Sequence, residues 1–259
     1  MIKNISRFLI LAVFTACNPS TWQSILNDSQ LTESEVVDGL KTALRVGTEE
    51  AVTIVSKPDG YFRDQAIRIL LPEEANEALN TLREAPGGEQ LYRSAIAPVV
   101  DDLVEAINRS AENAASQAAP IFRNAISEMT IADAWEILNG NYKSSGNRSA
   151  TAYFRDKTYD PLTRLFKPDI NQSLEKPLVN NLSANALWNK FVKSYDAVAK
   201  SPANLLMRLE PLQEPDLAAY VTNKALDGLF IKVADEEAEI RRDPYKYANQ
   251  ILEKVFGNR

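Results

Sequence analysis

The stretch "INRSAENAASQAAPIF", Ile107 to Phe122, constrains this chain more than any other. At about 100° per residue, from 3.6 residues per helical turn, Leu103, Ile107, Ser110, Ala114, Ala118 and Ile121 share one face. Asn108, Ala115 and Ala119 fall on a second face roughly a quarter turn away, with Glu112 beside them. Side chains this small on two faces imply neighbours packed closely on two sides, so the helix is expected at the centre of the fold. Asn108 and Glu112, one turn apart, then stand where burial is expected, and a buried carboxylate must be paired or protonated. Arg109 lies four residues after Glu105 and three before Glu112. Two readings stay open: surface ion pairs of low value, or a buried polar cluster holding a ligand. The first is the more ordinary.

Helical spacing continues on both sides. Thr32-Glu33-Ser34-Glu35 is a capping box, and Val36, Leu40, Ala43, Leu44, Gly47, Ala51 and Ile54 recur behind it. Lys57-Pro58-Asp59-Gly60 reads as a turn. "AIRILLP", Ala66 to Pro72, is the one plausible extended piece. Pro72-Glu73-Glu74 opens a helix to about Glu84, with acids in its first turn, and Pro86-Gly87-Gly88 closes it. The alanine-rich centre covers about 89–129, with Pro98 and Pro120 inside it. Thr130 caps a short helix that Asn139-Gly140 stops. After the loop Asn141–Ser149, helical patterning is predicted over 150–166, irregular chain over 167–182, and helices over 183–200 and 215–242. Asp243-Pro244 restarts a final helix that Gly257 ends. No long-period repeat stands out. The expected fold class is all-α: a single compact multi-helix domain with a long central alanine-rich element, preceded by a signal peptide.

Composition removes whole chemistries. The 259 residues are 45% apolar and 25% charged, which suits a globular domain with a sizeable core. With no histidine and one cysteine, His-based catalytic triads and zinc sites built on His or several Cys are excluded. A net charge of −6 lacks the footprint of a nucleic-acid partner. A carboxylate-bound calcium or magnesium site stays open chemically, but with no EF-hand spacing and no Gly-rich phosphate loop no metal ligand and no cofactor is assigned.

That cysteine follows a short greasy run. Lys3 and Arg7 make a basic start, Phe8 to Phe14 is unbroken apolar sequence, and Thr15-Ala16 precede Cys17. This is the pattern of an export signal, too short to span a bilayer. Phe14-Thr15-Ala16-Cys17 resembles the lipobox of bacterial lipoproteins, which implies cleavage before Cys17 and acylation of that residue. An unpaired cysteine is otherwise odd in a secreted protein. Asn18 rather than Asp after the cysteine points, by analogy with Gram-negative sorting, to the periplasmic face of the outer membrane. The expected organisation is therefore a signal over 1–16, a tether and first helical turn around Trp22 over 17–30, and a helical domain over 31–259.

A second candidate segment is "SATAYFRDK", Ser149 to Lys157, where Ser149 or Thr151 could cap a helix and Arg155 follows Thr151 by four residues. Taken in order, Gly60-Tyr61, Ile69-Leu70-Leu71-Pro72, Asn108-Arg109-Ser110-Ala111-Glu112, Pro120-Ile121-Phe122, Ile137-Leu138-Asn139-Gly140 and Ala150-Thr151-Ala152-Tyr153-Phe154 resemble the bacterial DUF4197 family. The resemblance implies an exported helical domain over about residues 22–256 and supplies no mechanism.

The candidate ligand-binding residues are Asn108, Arg109, Glu112, Arg123, Asp133, Tyr153 and Arg155. The leading functional expectation is a membrane-tethered, non-catalytic module that binds an envelope protein or a small molecule. The alternatives are a His-free hydrolase pairing Glu112 with Glu128 or Asp133, and a carrier with a small amphipathic ligand held between its helices.

Overall fold

The computed structural model describes residues 32–202, 204–212 and 216–242. The signal, Cys17, the Trp22 turn and the final helix after Asp243 lie outside the described residues. Helix α1, Glu33–Ser56, starts at the expected capping box: the Thr32 hydroxyl accepts from the Glu35 N–H, and Glu35 accepts from the Thr32 N–H. At Lys57-Pro58-Asp59-Gly60 the Gly60 N–H returns to the Lys57 carbonyl, with Asp59 at φ 68°. Gly60 is required there, because a β-carbon would stand 2.5 Å from the Ile54 carbonyl oxygen. "AIRILLP" is only half extended. Ile67 and Arg68 donate back to Asp64 in a turn, and the extended run that follows pairs with no strand among the described residues.

Helix α2, Glu73–Glu84, leads through Gly87, at φ 76°, into α3, Gly88–Leu91. The chain then passes through a π-helical turn, Tyr92–Ile96, into α4, Ala97–Ala115. Pro98 has no N–H to donate to Ser94, and a widened turn here accommodates the missing bond. Helix α4 is the predicted central element. It packs against α1 and against three later helices: α7, Ser149–Leu174; α8, Ala184–Ala199; and α10, Leu217–Arg242. Ala106, Ala111, Ala114 and Ala115 are buried, so both alanine faces have neighbours. The helix stops at Ala115, and a turn re-phases the chain before α5, Ala119–Glu128.

Helix α6, Ile131–Leu138, begins at a second capping box, Thr130 with Asp133, and ends before Gly140 at φ 72°. Two 3₁₀ turns, Tyr142–Ser144 and Gly146–Arg148, lead into α7.

The irregular chain expected over 167–182 is corrected by α7, which runs through Pro161 and Pro168 to Leu174. An interior proline costs about 3 kcal/mol. Leu162, Phe166, Ile170 and Leu174, one turn apart and fully buried, offset that cost by packing. A two-stranded hairpin follows, β1 Pro177–Val179 and β2 Leu182–Ser183. Its two central residues, Asn180 and Asn181, both have positive φ, as a tight primed turn requires. A short helix, α9 Asn204–Met207, precedes α10. Helix α10 runs alongside α1 and α7, and Gly228 lets it approach the Tyr61 ring, where a β-carbon would stand 2.6 Å from Cε1. No helix of the described residues is long and apolar enough to cross a membrane.

Candidate functional site

Asn108 and Glu112 both project from α4 toward the irregular segment between α1 and α2. Asn108 is fully buried. Its Oδ1 accepts from the Ile69 N–H at 2.9 Å, and its Nδ2 donates to the carbonyls of Ile69 at 2.8 Å and Val104 at 2.7 Å. One side-chain amide therefore gives Ile69 both bonds that a neighbouring strand would give it. Tyr220 of α10 extends the same support by donating its hydroxyl to the carbonyls of Leu70 and Leu71.

Glu112, one turn along, is 3% exposed. Its Oε1 accepts from the backbone N–H groups of Tyr61 and Phe62, at 3.1 and 3.2 Å. Its Oε2 accepts from Arg109 Nη1 at 2.9 Å. Arg109 Nη2 reaches Asp59 at 2.7 Å and Glu105 at 3.1 Å, and the guanidinium carbon lies 5.4 Å from the Phe62 ring centroid. Burial pulls the Arg109 pKa down, but the bonds to Glu112 and Asp59 more than reverse that, and the net direction is up. Burial, with Glu112 adding to it, raises the Tyr61 pKa. The Tyr61 phenol stays protonated and donates to the Ala225 carbonyl at 2.6 Å.

Arg109 touches three carboxylates, of which Glu112 is buried while Asp59 and Glu105 are partly exposed, so the cluster is not a purely surface set of ion pairs. Asn108 and one oxygen of Glu112 bond to the chain's own backbone, while Arg109 bonds to side-chain carboxylates.

The sequence of the chain matches over residues 30–257 the family described as a protein of unknown function, DUF4197. The chain belongs to the DUF4197 family. No curated protein and no solved structure matches it.

The remaining candidates of this DUF4197 domain lie elsewhere, each with its own partner. Arg123 is exposed, with Nε at 3.9 Å from Glu49 and bonded to the Ala119 carbonyl. Asp133 belongs to the α6 cap; burial raises its pKa, but its hydrogen bonds from Thr130 win, and it is held below the usual carboxylate range. Tyr153 is buried and donates to the Ala125 carbonyl at 2.9 Å. Burial, with Asp133 and Glu128 adding to it, pushes its pKa up to about 12. Its ring packs edge-on against Tyr142 and Phe154. Arg155 pairs with Asp227 at 2.6 Å and lies over the rings of Tyr159 and Phe230. The structure thus gathers Asn108, Arg109 and Glu112 around one segment and sets Asp133 near Tyr153, while Arg123 and Arg155 each pair separately. Among the described residues no group of three or more Cys, His, Asp and Glu is placed to hold a metal ion.

Sequence reasoning missed the counterpart of Glu112. Glu237 of α10, 5% exposed, accepts from the N–H groups of Ala150 and Thr151 at 2.9 and 2.8 Å and from the Thr151 hydroxyl at 2.8 Å. Arg241, one turn on, donates to Glu237 at 2.7 Å and to the Ile137 carbonyl at 3.1 Å. The expected cap on α7 from Ser149 or Thr151 is corrected here: no local side chain caps that helix, and the Ser149 hydroxyl is buried without a partner. The signal was available, because Phe230, Val233 and Glu237 share one helical face and the first two are apolar core.

Proposed function

We propose that this DUF4197 chain is a lipid-anchored protein of the bacterial envelope, held at the periplasmic face of the outer membrane through Cys17, and that its helical body acts as a non-catalytic binding module for an envelope component. The carrying observation in the body is the occupancy of Glu112. A general acid or base must be within reach of a substrate proton, and both Glu112 oxygens already accept from the chain's own groups, two of them main-chain N–H. Asp133, one of its two candidate partners in a two-carboxylate hydrolase beside Glu128, accepts through Oδ2 from the Thr130 N–H and hydroxyl at the α6 cap. Such saturation favours a rigid scaffold that presents a surface. The lipobox-like run before Cys17 supports the anchor, since acyl chains contribute about 0.8 kcal/mol per buried methylene.

The deciding experiment follows a Cys17→Ser variant through metabolic palmitate labelling and membrane fractionation. Loss of label and release of the protein into the soluble periplasm is the expected result. Unchanged membrane attachment of an unlabelled protein overturns the anchor.

A further inference from the structure

Helix α8 turns one side into the core and the other to water. Leu187, Trp188, Phe191, Val192, Tyr195 and Ala199 are buried. Ala186, Asn189, Lys190, Lys193 and Ala197 are exposed. At about 100° per residue these five fall within a single arc of about 100°, and Lys200 at the C-cap continues it. The strip runs about 20 Å along the helix and carries no acid. Asp196 stands at its flank, with Oδ2 bonded to Lys200 at 2.7 Å. Lys190 and Lys193 make no ion pair with any described residue. In a chain with 35 acidic residues against 29 basic, this face has a local charge opposite in sign to the whole.

The strip leads to an exposed leucine. Helix α9 packs against α8, and its Leu205 is 86% exposed, more than any other large apolar side chain among the described residues. That exposure is built into the turn. The Asn204 side chain accepts from the Leu209 N–H at 2.6 Å and donates to the Leu209 carbonyl at 3.0 Å. Leu209 is itself buried, which ties the turn to the core. The Arg208 N–H returns to the Asn204 carbonyl, with Arg208 at φ 54° and exposed. Leu205 is thus held outward at the Lys200 end of the strip, with a second cation beyond it.

The chemistry of the strip selects its partner. Protein interfaces are depleted in Lys and Ala and are anchored by aromatic residues and Arg, and the α8 strip has neither kind of anchor. Lysine stems lie along apolar surface while their ammonium heads stay with water and anions. A leucine bordered by such heads matches the boundary between phosphate headgroups and acyl chains. We propose that the exposed face of α8, together with Leu205, is a contact surface for anionic phospholipid, with Lys190 and Lys193 against headgroup phosphates and Leu205 entering the headgroup layer. The contact goes beyond the Cys17 anchor and does not require it. An acyl chain would hold the protein near a membrane, and this face would decide which side of the helical body lies against it.

The test uses the full chain carrying Cys17→Ser, in which Leu205→Cys supplies the one thiol for a nitrobenzoxadiazole dye. With phosphatidylethanolamine–phosphatidylglycerol vesicles the dye emission is expected to shift to the blue. The shift is expected to be absent with phosphatidylcholine vesicles and to be lost at about 0.5 M salt. The same dye on Glu50→Cys, at an exposed position of α1, is expected to stay in water. Lys190→Glu combined with Lys193→Glu is expected to lower vesicle partitioning by about tenfold or more, with the urea midpoint of this solvent-exposed pair of substitutions unchanged. No shift at position 205 on the anionic vesicles would overturn the proposal. So would an equal shift on phosphatidylcholine, or unchanged partitioning of the double variant. A photocrosslinker at position 193 that captures one protein in intact cells, while the dye at 205 stays in water on vesicles, would assign the face to a protein partner and overturn it as well.

Discussion

Glu112 and Glu237 are two solutions to one problem. Each is a buried carboxylate on a long helix, each accepts from two successive main-chain N–H groups, and each has an arginine about one turn away. What they hold differs. Glu237 meets the start of α7, where the N–H groups of a 26-residue helix have no intrahelical acceptor and the helix dipole favours a negative charge. Glu112 meets a turn, Tyr61-Phe62, that has no dipole and no regular ladder of its own. The turn is correspondingly held by more groups: Asn108 on Ile69, Tyr220 on Leu70 and Leu71, the Tyr61 hydroxyl on Ala225, and Lys232 on Asp64 at 2.7 Å. A helix end needs one well-placed acceptor, whereas an irregular segment has to be fastened group by group.

The comparison predicts unequal losses. Glu112→Ala orphans the buried Tyr61 N–H and the part-buried Phe62 N–H and removes one of the three carboxylates around Arg109. With about 1–3 kcal/mol per unsatisfied buried group, it is expected to lower unfolding stability by about 3–5 kcal/mol in urea titration, close to the cost of breaking a buried pair from one side. Glu237→Ala is expected to cost less, about 2–3 kcal/mol, because the first turn of α7 can fray toward water; caps alone are worth about 0.5–2 kcal/mol. Its signature is local: faster hydrogen exchange at the first turn of α7, with exchange at Ile69 unchanged. If Glu237→Ala costs more than Glu112→Ala, fastening the irregular segment matters less to the fold than capping its long helix.

The two carboxylates also differ in how far they could be read from sequence. The face arithmetic around Ile107 placed Asn108 and Glu112 in the interior because helical phase is a local property, and Thr32 and Thr130 announced their helices through partners only three residues away. The groups that Asn108 and Glu112 bind lie 39 and about 50 residues earlier, beyond any periodicity. Glu237 shares a helical face with the apolar Phe230 and Val233, which marks it as interior, but the backbone groups it holds stand 86 and 87 residues before it. The expectation of irregular chain from residue 167, next to Pro168, failed for the same reason. The proline's cost is local and obvious, while the burial of Phe166, Ile170 and Leu174 that outweighs it comes from other helices. Local chemistry was legible and long-range satisfaction was not.

Asp64 gives the smallest and sharpest test of the idea that the irregular segment is held by many modest ties. Burial raises its pKa, but the hydrogen bond and charge of Lys232 and the Ala66 N–H prevail, and the net direction is down. A carboxylate depressed in the folded state stabilises the fold above its unfolded pKa of about 3.9, and that contribution disappears as pH falls through the lower folded value. Lys232 shifts the other way. Burial lowers its pKa, Asp64 and Asp235 raise it further, and its contribution is lost only as pH climbs above the ordinary lysine range. Asp64→Asn is therefore expected to lower stability at pH 7 by about 1 kcal/mol or less, the range of a partly exposed pair. The difference from the parent chain should shrink as pH falls below the unfolded value of about 3.9 and vanish only once pH lies below the depressed folded value, where Asp64 is protonated in both states. Urea titrations of both proteins across pH 2.5–7 measure this directly. A constant offset over that whole span would mean that Asp64 acts through packing or its bond to Ala66, with no contribution from its charge. A loss as large as that of Glu112→Ala would mean that the segment hangs on one tie after all.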